Sequence, residues 1–359
     1  MKVGLYSGGA VKTIAVTHYH HYDYYYLTLG MALGCFLTGW VSDKLHKSKQ
    51  NGVRWAVRKA LEMMCKFAWT ASSEIWYKAP DHFIRSKPVC GFGHFIHRRA
   101  CCKQDRTPGA LYTRFFRNRP QLEVLRSIIA QRPFEATLKL TVLGCSTGAE
   151  LYSAVAVIKK SRPDLILTAN GIDISREAIE KAECGVYDAS DRELENLKDE
   201  EVDGVFLKSN NLFKIHPSLK SNITWHVADA CNPLMLDMIG LQDIVIANNF
   251  LIHWCDEKAE QCLRSIFDMV SPGGFLFVWG VDLDVKHRVV QELNLNPVPY
   301  KIDEVHEADE AGLQAWPWKY WGIEPLDEKR SDWKERYATV YQVPYQNSGY
   351  RNPRRQPTS

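Results

Sequence analysis

Residues 138–150 read LKLTVLGCSTGAE, and this stretch decides the fold. Leu138–Leu143 is a short apolar run rich in β-formers, Gly144-Cys-Ser-Thr-Gly148 is a glycine-bearing loop, and a helix is predicted from Ala149 to Lys160, broken by Pro163. A strand that passes through such a loop into a helix N-terminus is a nucleotide-cradling device. Glycine lets the backbone approach the ligand, and the helix start offers unpaired N–H groups. The loop is G-x-x-x-G rather than the dinucleotide G-x-G-x-x-G, and it lacks the Lys-Ser/Thr of a P-loop.

Outward from this unit the alternation continues. Leu165–Asp173 reads as a second strand, and Ser175 caps a helix over Arg176–Cys184. Later strands are predicted at Ile223–Val227, Asp243–Ala247, Phe275–Trp279 and Tyr337–Val343, with helices around Asp256–Val270 and Lys286–Leu293. Strands alternating with helices specify an α/β fold, a parallel sheet with helices on both faces. Asp173 ends the second strand, where a carboxylate accepts hydrogen bonds from both hydroxyls of a ribose. Asp229 follows the strand Ile223–Val227, where a residue contacting adenine is expected. These features favour an adenosine-bearing ligand without a phosphate clamp, and S-adenosyl-L-methionine fits that description.

Gly144-Cys-Ser-Thr-Gly-Ala-Glu-Leu-Tyr-Ser153 resembles the CSTGEEPYS stretch of the chemotaxis-receptor (CheR-type) methyltransferase family. The resemblance continues through Gly171-Ile-Asp-Ile-Ser175, Ala182-Glu-Cys-Gly-Val-Tyr187, Asp243–Trp254 (DIVIANNFLIHW) and Ser271-Pro-Gly-Gly-Phe-Leu-Phe277. Upstream, Thr113-Arg-Phe-Phe-Arg117 is similar to the family's T-x-F-F-R motif. It implies a Rossmann-like, seven-stranded class I methyltransferase sheet with helices on both faces, preceded by a helical N-terminal segment, and an S-adenosyl-L-methionine-dependent enzyme. Carried over residue by residue, it places Gly144, Ser146, Thr147, Gly148 and Glu150 at the methionine end. Asp173 and Ile174 fall at the ribose, Asp229 and Ala230 at the adenine, and Thr113 and Arg117 close over the cofactor. Residues 205–223 occupy the place of the family's small inserted β-subdomain.

The departures bear on the acceptor. Ala149 and Leu151 stand where the family's loop has Glu and Pro, and in the segment usually reading C-R-N-V-x-I-Y-F, Asn248 replaces the arginine and His253 the tyrosine. Both positions face the methyl-accepting site in the family, which argues against a receptor glutamate as acceptor. A hydroxyl or amine acceptor benefits from a base, for which His253 is a candidate, while Asn248 and Asn249 are candidates for substrate or cofactor hydrogen bonding. The expected function is methyl transfer to an oxygen or nitrogen of a small molecule or a protein side chain. The alternatives are a protein-glutamate O-methyltransferase of chemoreceptors and a cofactor-binding scaffold without chemistry. A long connector, residues 282–336, carries Tyr300, Trp316, Trp318, Tyr320, Trp321 and Trp333, and reads either as a wall for the acceptor pocket or as packing on the sheet edge.

Charge divides the chain. Residues 1–135 hold 21 Lys+Arg against 8 Asp+Glu, and the remainder of the totals 45 and 42 is 24 against 34. A basic, mainly helical region over 1–107, a helical segment over 108–135, a methyltransferase domain over 136–345 and a disordered tail over 346–359 account for this. The basic region would suit acidic protein or a membrane surface, and no nucleic-acid motif accompanies it. Tyr24–Val41 is uncharged and reads as either a buried or interfacial helix or a membrane anchor, with the catalytic part cytoplasmic in both cases. The ten cysteines form no disulfide framework, which favours a reducing interior. Cys90, His94, His97, Cys101 and Cys102 read as a basic helix-turn, since zinc knuckles of C-x-x-C type are absent, and no metal is expected.

Overall fold

The computed structural model describes residues 2–7, 10–15, 79–101, 113–232, 234–309, 313, 316–317 and 320–345. The chain divides into two compact units, Met1–Phe92 and Gly93–Ser359. The first contains an antiparallel hairpin of β1 (Lys2–Ser7) and β2 (Ala10–Ala15). The segment 24–41 and the tail 346–359 lie outside the described residues, and among those described no helix is long and apolar enough to cross a membrane.

The unit from Gly93 onward is built on one seven-stranded sheet. Its members are β3 (Thr137–Leu143), β4 (Ile166–Asp173), β8 (Ile223–Val227), β9 (Gln242–Asn248), β10 (Val270–Trp279), β11 (Asn296–Pro297) and β12 (Val340–Gln342), in the order β11-β12-β10-β9-β3-β4-β8. Pairings from β10 through β9, β3 and β4 to β8 are parallel, while β12 runs antiparallel to β10 and to β11. The order reverses direction at β3, which places a crevice beyond the carboxyl ends of β3 and β9. Central β3 is covered on both faces: Leu138, Leu140, Val142 and Leu143 are fully buried, and Thr141 is buried with its hydroxyl donating to Gln242. The sequence shows six of these strands. The seventh, β11, has two residues inside the long connector, too few for any alternation to show.

Two helical expectations need correction. The helical segment expected over 108–135 is helical only in part among the described residues: α2 spans Arg119–Ile129, with Asn118 accepting from the Gln121 N–H at 3.1 Å and Pro120 in its first turn. Thr113–Asn118 is therefore an extended turn ahead of that cap, and Asn-Arg-Pro is the start signal that marks it. Where Cys90–Cys102 read as a helix-turn, the chain forms one uninterrupted helix, α1 (Lys87–Cys101), with Pro88 in its first turn. Cys102 lies outside the described residues.

Residues 205–223 contribute β6 (Phe206–Ser209) and β7 (Leu212–Ile215) to a three-stranded antiparallel sheet whose third member, β5 (Val186–Asp188), lies upstream of them, with β7 central. One disulfide, Cys231–Cys262, ties the loop after β8 to the helix Asp256–Asp268, where free thiols were expected.

Candidate active site

A cleft of about 910 Å³, counting solvent at its mouth, opens beyond β3 and β9 and is roofed by the segment around Thr113–Leu125. Three non-glycine residues that line it hold left-handed backbone: Phe116 (φ 50), Ser146 (φ 49) and Asn249 (φ 63). Such conformations cost about 1–3 kcal/mol each where asparagine's tolerance does not apply, and they persist when the surroundings over-determine them. Here the backbone N–H groups are all engaged. Phe116 donates to Ser153 Oγ at 2.9 Å, Ser146 to Asp173 Oδ2 at 2.8 Å, and Asn249 to the Trp279 carbonyl at 2.7 Å. Gly144 (φ 63) is required in the same loop, because a Cβ there would stand 2.9 Å from the Phe250 ring.

Asn248 ends β9 and is buried. Its Nδ2 donates to Gln121 Oε1 and to Glu150 Oε1, each at 2.7 Å, joining α2 and β9 to α3 (Ala149–Ser161). Burial raises the pKa of the Glu150 carboxyl, opposed by the Asn248 hydrogen bond and the Arg117 charge. Glu150 also lies in the first turn of α3, where the helix end favours its ionised form.

On the other side of the loop, half-buried Asp173 ends β4. Its Oδ1 accepts from the Ser175 N–H at 2.9 Å and its Oδ2 from Ser146. Each carboxylate oxygen retains acceptor capacity for a ribose hydroxyl. Ile174 follows, exposed, with an apolar side chain open to a planar ligand. After β8, Asp229 Oδ1 accepts from the Cys231 N–H at 2.9 Å, while Ala230 is buried.

Three buried polar atoms lining the cleft have no hydrogen-bond partner among the described residues: Ser146 Oγ, Gln121 Nε2 and Asn248 Oδ1. An unpaired buried polar atom costs about 1–3 kcal/mol, so these atoms call for a polar ligand. A hydroxyl, an amide donor and an amide acceptor facing one cleft, beside Arg117 and Glu150, fit the amino-acid end of S-adenosyl-L-methionine. The fit is chemical, since a zwitterion needs both charges met.

The structure brings together Thr113, Arg117, Gly144, Ser146, Glu150, Asn248 and Asn249 in this cleft. Other expected residues are placed differently. Thr147 donates its hydroxyl to Glu193 at 2.9 Å and does not line the cleft. Gly148 (φ 90) serves close packing, since a Cβ would meet Ala182 at 2.9 Å and Trp225 at 3.0 Å. His253 is exposed, with its ring edge-on to Trp321 at 6.1 Å; partial desolvation lowers its pKa, but it lines no part of the cleft. Trp316 is fully buried and Trp321 is exposed, neither lines the cleft, and Trp318 lies outside the described residues. The connector reaches the cleft through Ala308 and Asp309 instead, with Asp309 Oδ2 accepting from Trp279 Nε1 at 3.3 Å. Gln121, Trp279 and Asp309 were not anticipated. Gln121 is the third residue of α2, which begins directly after the Asn118 cap, and no local pattern in the sequence marks it.

Comparison with known proteins identifies the family. The profile of the family described as "CheR methyltransferase, SAM binding domain" matches residues 112–292, just over half of the 359. Chemotaxis protein methyltransferase 2 of Vibrio cholerae is 27% identical over 177 residues, covering 46% of this chain and 60% of the relative. A chemotaxis protein methyltransferase of Listeria innocua is 26% identical over 192 residues, 52% of this chain and 67% of that one. The chain thus spans about 60% of the length of the Vibrio relative. Among solved structures, the magnesium protoporphyrin IX methyltransferase of Synechocystis, with SAM bound, aligns over 61% of this chain and 85% of that one, at 13% identity and a TM-score of 0.29.

Proposed function

The chain belongs to the CheR methyltransferase family, and on that premise we propose that it transfers a methyl group from S-adenosyl-L-methionine to a hydroxyl oxygen or a nitrogen of a protein side chain. The observation that carries this reading is the set of unpaired buried atoms, Ser146 Oγ, Gln121 Nε2 and Asn248 Oδ1, around one cleft at the switch point of the sheet.

When bound, S-adenosyl-L-methionine supplies an electrophilic methyl group on a sulfonium. The chain's own task is to orient donor and acceptor in line and to exclude water. Asp173 receives the ribose hydroxyls; Ser146, Gln121, Glu150 and Arg117 receive the amino-acid end; Ile174, Asp229 and Ala230 flank the adenine. Thr113 and Phe116 cover the cleft from above. Asn249 and Trp279 line it next to Asp309, whose carboxylate is placed to take the proton that an amine or hydroxyl acceptor loses.

A protein acceptor is favoured by the relatives, which are named as chemotaxis protein methyltransferases. A receptor glutamate fits less well, because both hydrogens of Asn248 are committed to Gln121 and Glu150 and none is left for a carboxylate. Transfer of labelled methyl from S-adenosyl-L-methionine into proteins of a cell lysate, followed by base treatment, tests the reading. Base-stable label incorporated by the chain supports it; base-labile label alone would restore the carboxyl acceptor, and no label would leave the chain without protein methylation activity.

A further inference from the structure

His94, Asp282 and Asp284 meet away from the cleft, within the unit that begins at Gly93. His94 Nδ1 is 3.3 Å from Asp282 Oδ2 and 3.1 Å from Asp284 Oδ2, and the three donor atoms lie within 4.8 Å of one another. Each side chain is aimed by other bonds. Asp282 caps α4 (Leu283–Glu292): its Oδ1 accepts from the N–H groups of Asp284 at 2.9 Å and Val285 at 3.2 Å, which leaves Oδ2 turned toward His94. Asp284 gives Oδ1 to Arg336 at 2.9 Å and presents Oδ2. The imidazole is stacked on Tyr320 at 4.7 Å between ring centroids.

Two of the facing atoms, His94 Nδ1 and Asp282 Oδ2, have no hydrogen-bond partner among the described residues, although their residues are 5% and 3% exposed. The two separations from His94 Nδ1, 3.3 Å and 3.1 Å, are close to the tetrahedral edge of about 3.3 Å that metal–ligand bonds of about 2.0–2.1 Å produce. On the other ring nitrogen, His94 Nε2 meets Glu324 Oε2 at 3.5 Å. Glu324 is itself fixed by Arg336 Nε at 2.7 Å and the Tyr337 hydroxyl at 2.9 Å. A carboxylate on the far nitrogen is the arrangement that sets the tautomer of a metal-binding histidine. Charge agrees. Asp282, Asp284 and Glu324 have Arg336 within ion-pair distance and share His94, whose imidazole they favour in its protonated form; a divalent cation would take the place of that proton and leave the ring neutral. Asp284 is half exposed and gives an entry path and room for a water in the fourth position.

We propose that His94 Nδ1, Asp282 Oδ2 and Asp284 Oδ2 form a zinc-class divalent metal site, with Glu324 as the outer carboxylate that orients His94. The ligands differ from the cysteine-histidine cluster seen in the sequence, of which His94 alone takes part. The site braces the stretch that follows Trp279, three residues after that cleft-lining side chain.

Tag-free full-length protein, stripped with chelator, is titrated with zinc chloride at pH 7.5 in competition with a chromophoric chelator, and separately with cobalt(II), read by visible absorption. One equivalent of zinc and a tetrahedral cobalt spectrum are expected. His94→Gln and Asp282→Asn should each weaken zinc binding at least tenfold and remove the cobalt bands, and Glu324→Gln should weaken it by about tenfold. Asp282→Asn keeps an oxygen to cap α4, so its loss of metal is separable from loss of fold. No zinc uptake by the folded wild-type chain would overturn the proposal, leaving His94 as a buried imidazolium among carboxylates. Uptake of equal affinity in His94→Gln and Asp282→Asn would overturn it equally, by assigning the metal to other residues.

Discussion

Asn248 and Glu150 are joined by a 2.7 Å hydrogen bond across the floor of the cleft, with the amide as donor. The second hydrogen of that amide reaches Gln121, also at 2.7 Å, so one side chain at the end of β9 fixes two cleft-lining residues from two helices. Asn248→Asp keeps the shape but turns a double donor into an acceptor against two oxygens. It should lower stability by about 1–3 kcal/mol and weaken cofactor binding at least about tenfold. Urea unfolding and calorimetry check both; wild-type values in both would remove Asn248 from the site.

Tryptophans of the connector should behave according to burial. Trp316 is 1% exposed and fills the space that a Cβ on Gly93 would invade at 2.6 Å. Trp316→Ala is expected to cost about 3–5 kcal/mol, and Gly93→Ala about 1–3 kcal/mol by overpacking. Trp321→Ala, at an exposed site, should stay within about 0.5 kcal/mol. A destabilising Trp321→Ala beside a silent Trp316→Ala, in denaturant unfolding, would reverse this assignment.

Acid should weaken the fold through His306. This residue is 2% exposed, and burial pushes its pKa down to about 4, against the ordinary 6.5, despite Nε2 meeting the Glu324 carbonyl at 2.6 Å. The unfolded chain then takes up the proton first. Stability contributed by the neutral ring is full above about pH 6.5 and is lost as pH falls toward 4, by about 3 kcal/mol in all. Comparing unfolding of wild type and His306→Phe across pH 4–7 should show a flatter dependence in the variant; parallel curves would exclude His306 as a source.

Acceptor chemistry offers a sharper contrast. Chemoreceptor-derived glutamate peptides should receive little methyl ester, since no charge is offered at position 248. Asp309→Asn should reduce turnover on a hydroxyl or amine acceptor and alter its pH profile while leaving cofactor affinity unchanged. Efficient base-labile esterification of the peptides, or a normal pH profile in Asp309→Asn, would count against an acceptor that must lose a proton.

The central sheet was legible because its strands are short, apolar and punctuated. β3, the Gly144–Gly148 loop and Asp173 were placed by pattern alone; the hydrogen bond from the Ser146 N–H to Asp173 was not part of that reading. Long-range choices were not legible. Nothing local shows that the Thr147 hydroxyl turns to Glu193, 46 residues on, or that His253 meets Trp321 instead of the cleft. Asp309 enters the site through a fold of the connector that carries no periodic signal, and two-residue β11 is too short for one. Cys231 and Cys262 lie far apart in sequence without framework spacing, so their pairing is a product of the fold.

The most direct test of the account is a calorimetric titration of the full chain with S-adenosylhomocysteine, run on wild type and on Asp173→Ala. Wild type should bind one equivalent, and the variant, which loses both the ribose acceptor and the anchor of Ser146, should bind at least about tenfold more weakly while remaining folded. A folded wild-type chain that binds no S-adenosylhomocysteine, or an Asp173→Ala variant of unchanged affinity, would contradict it.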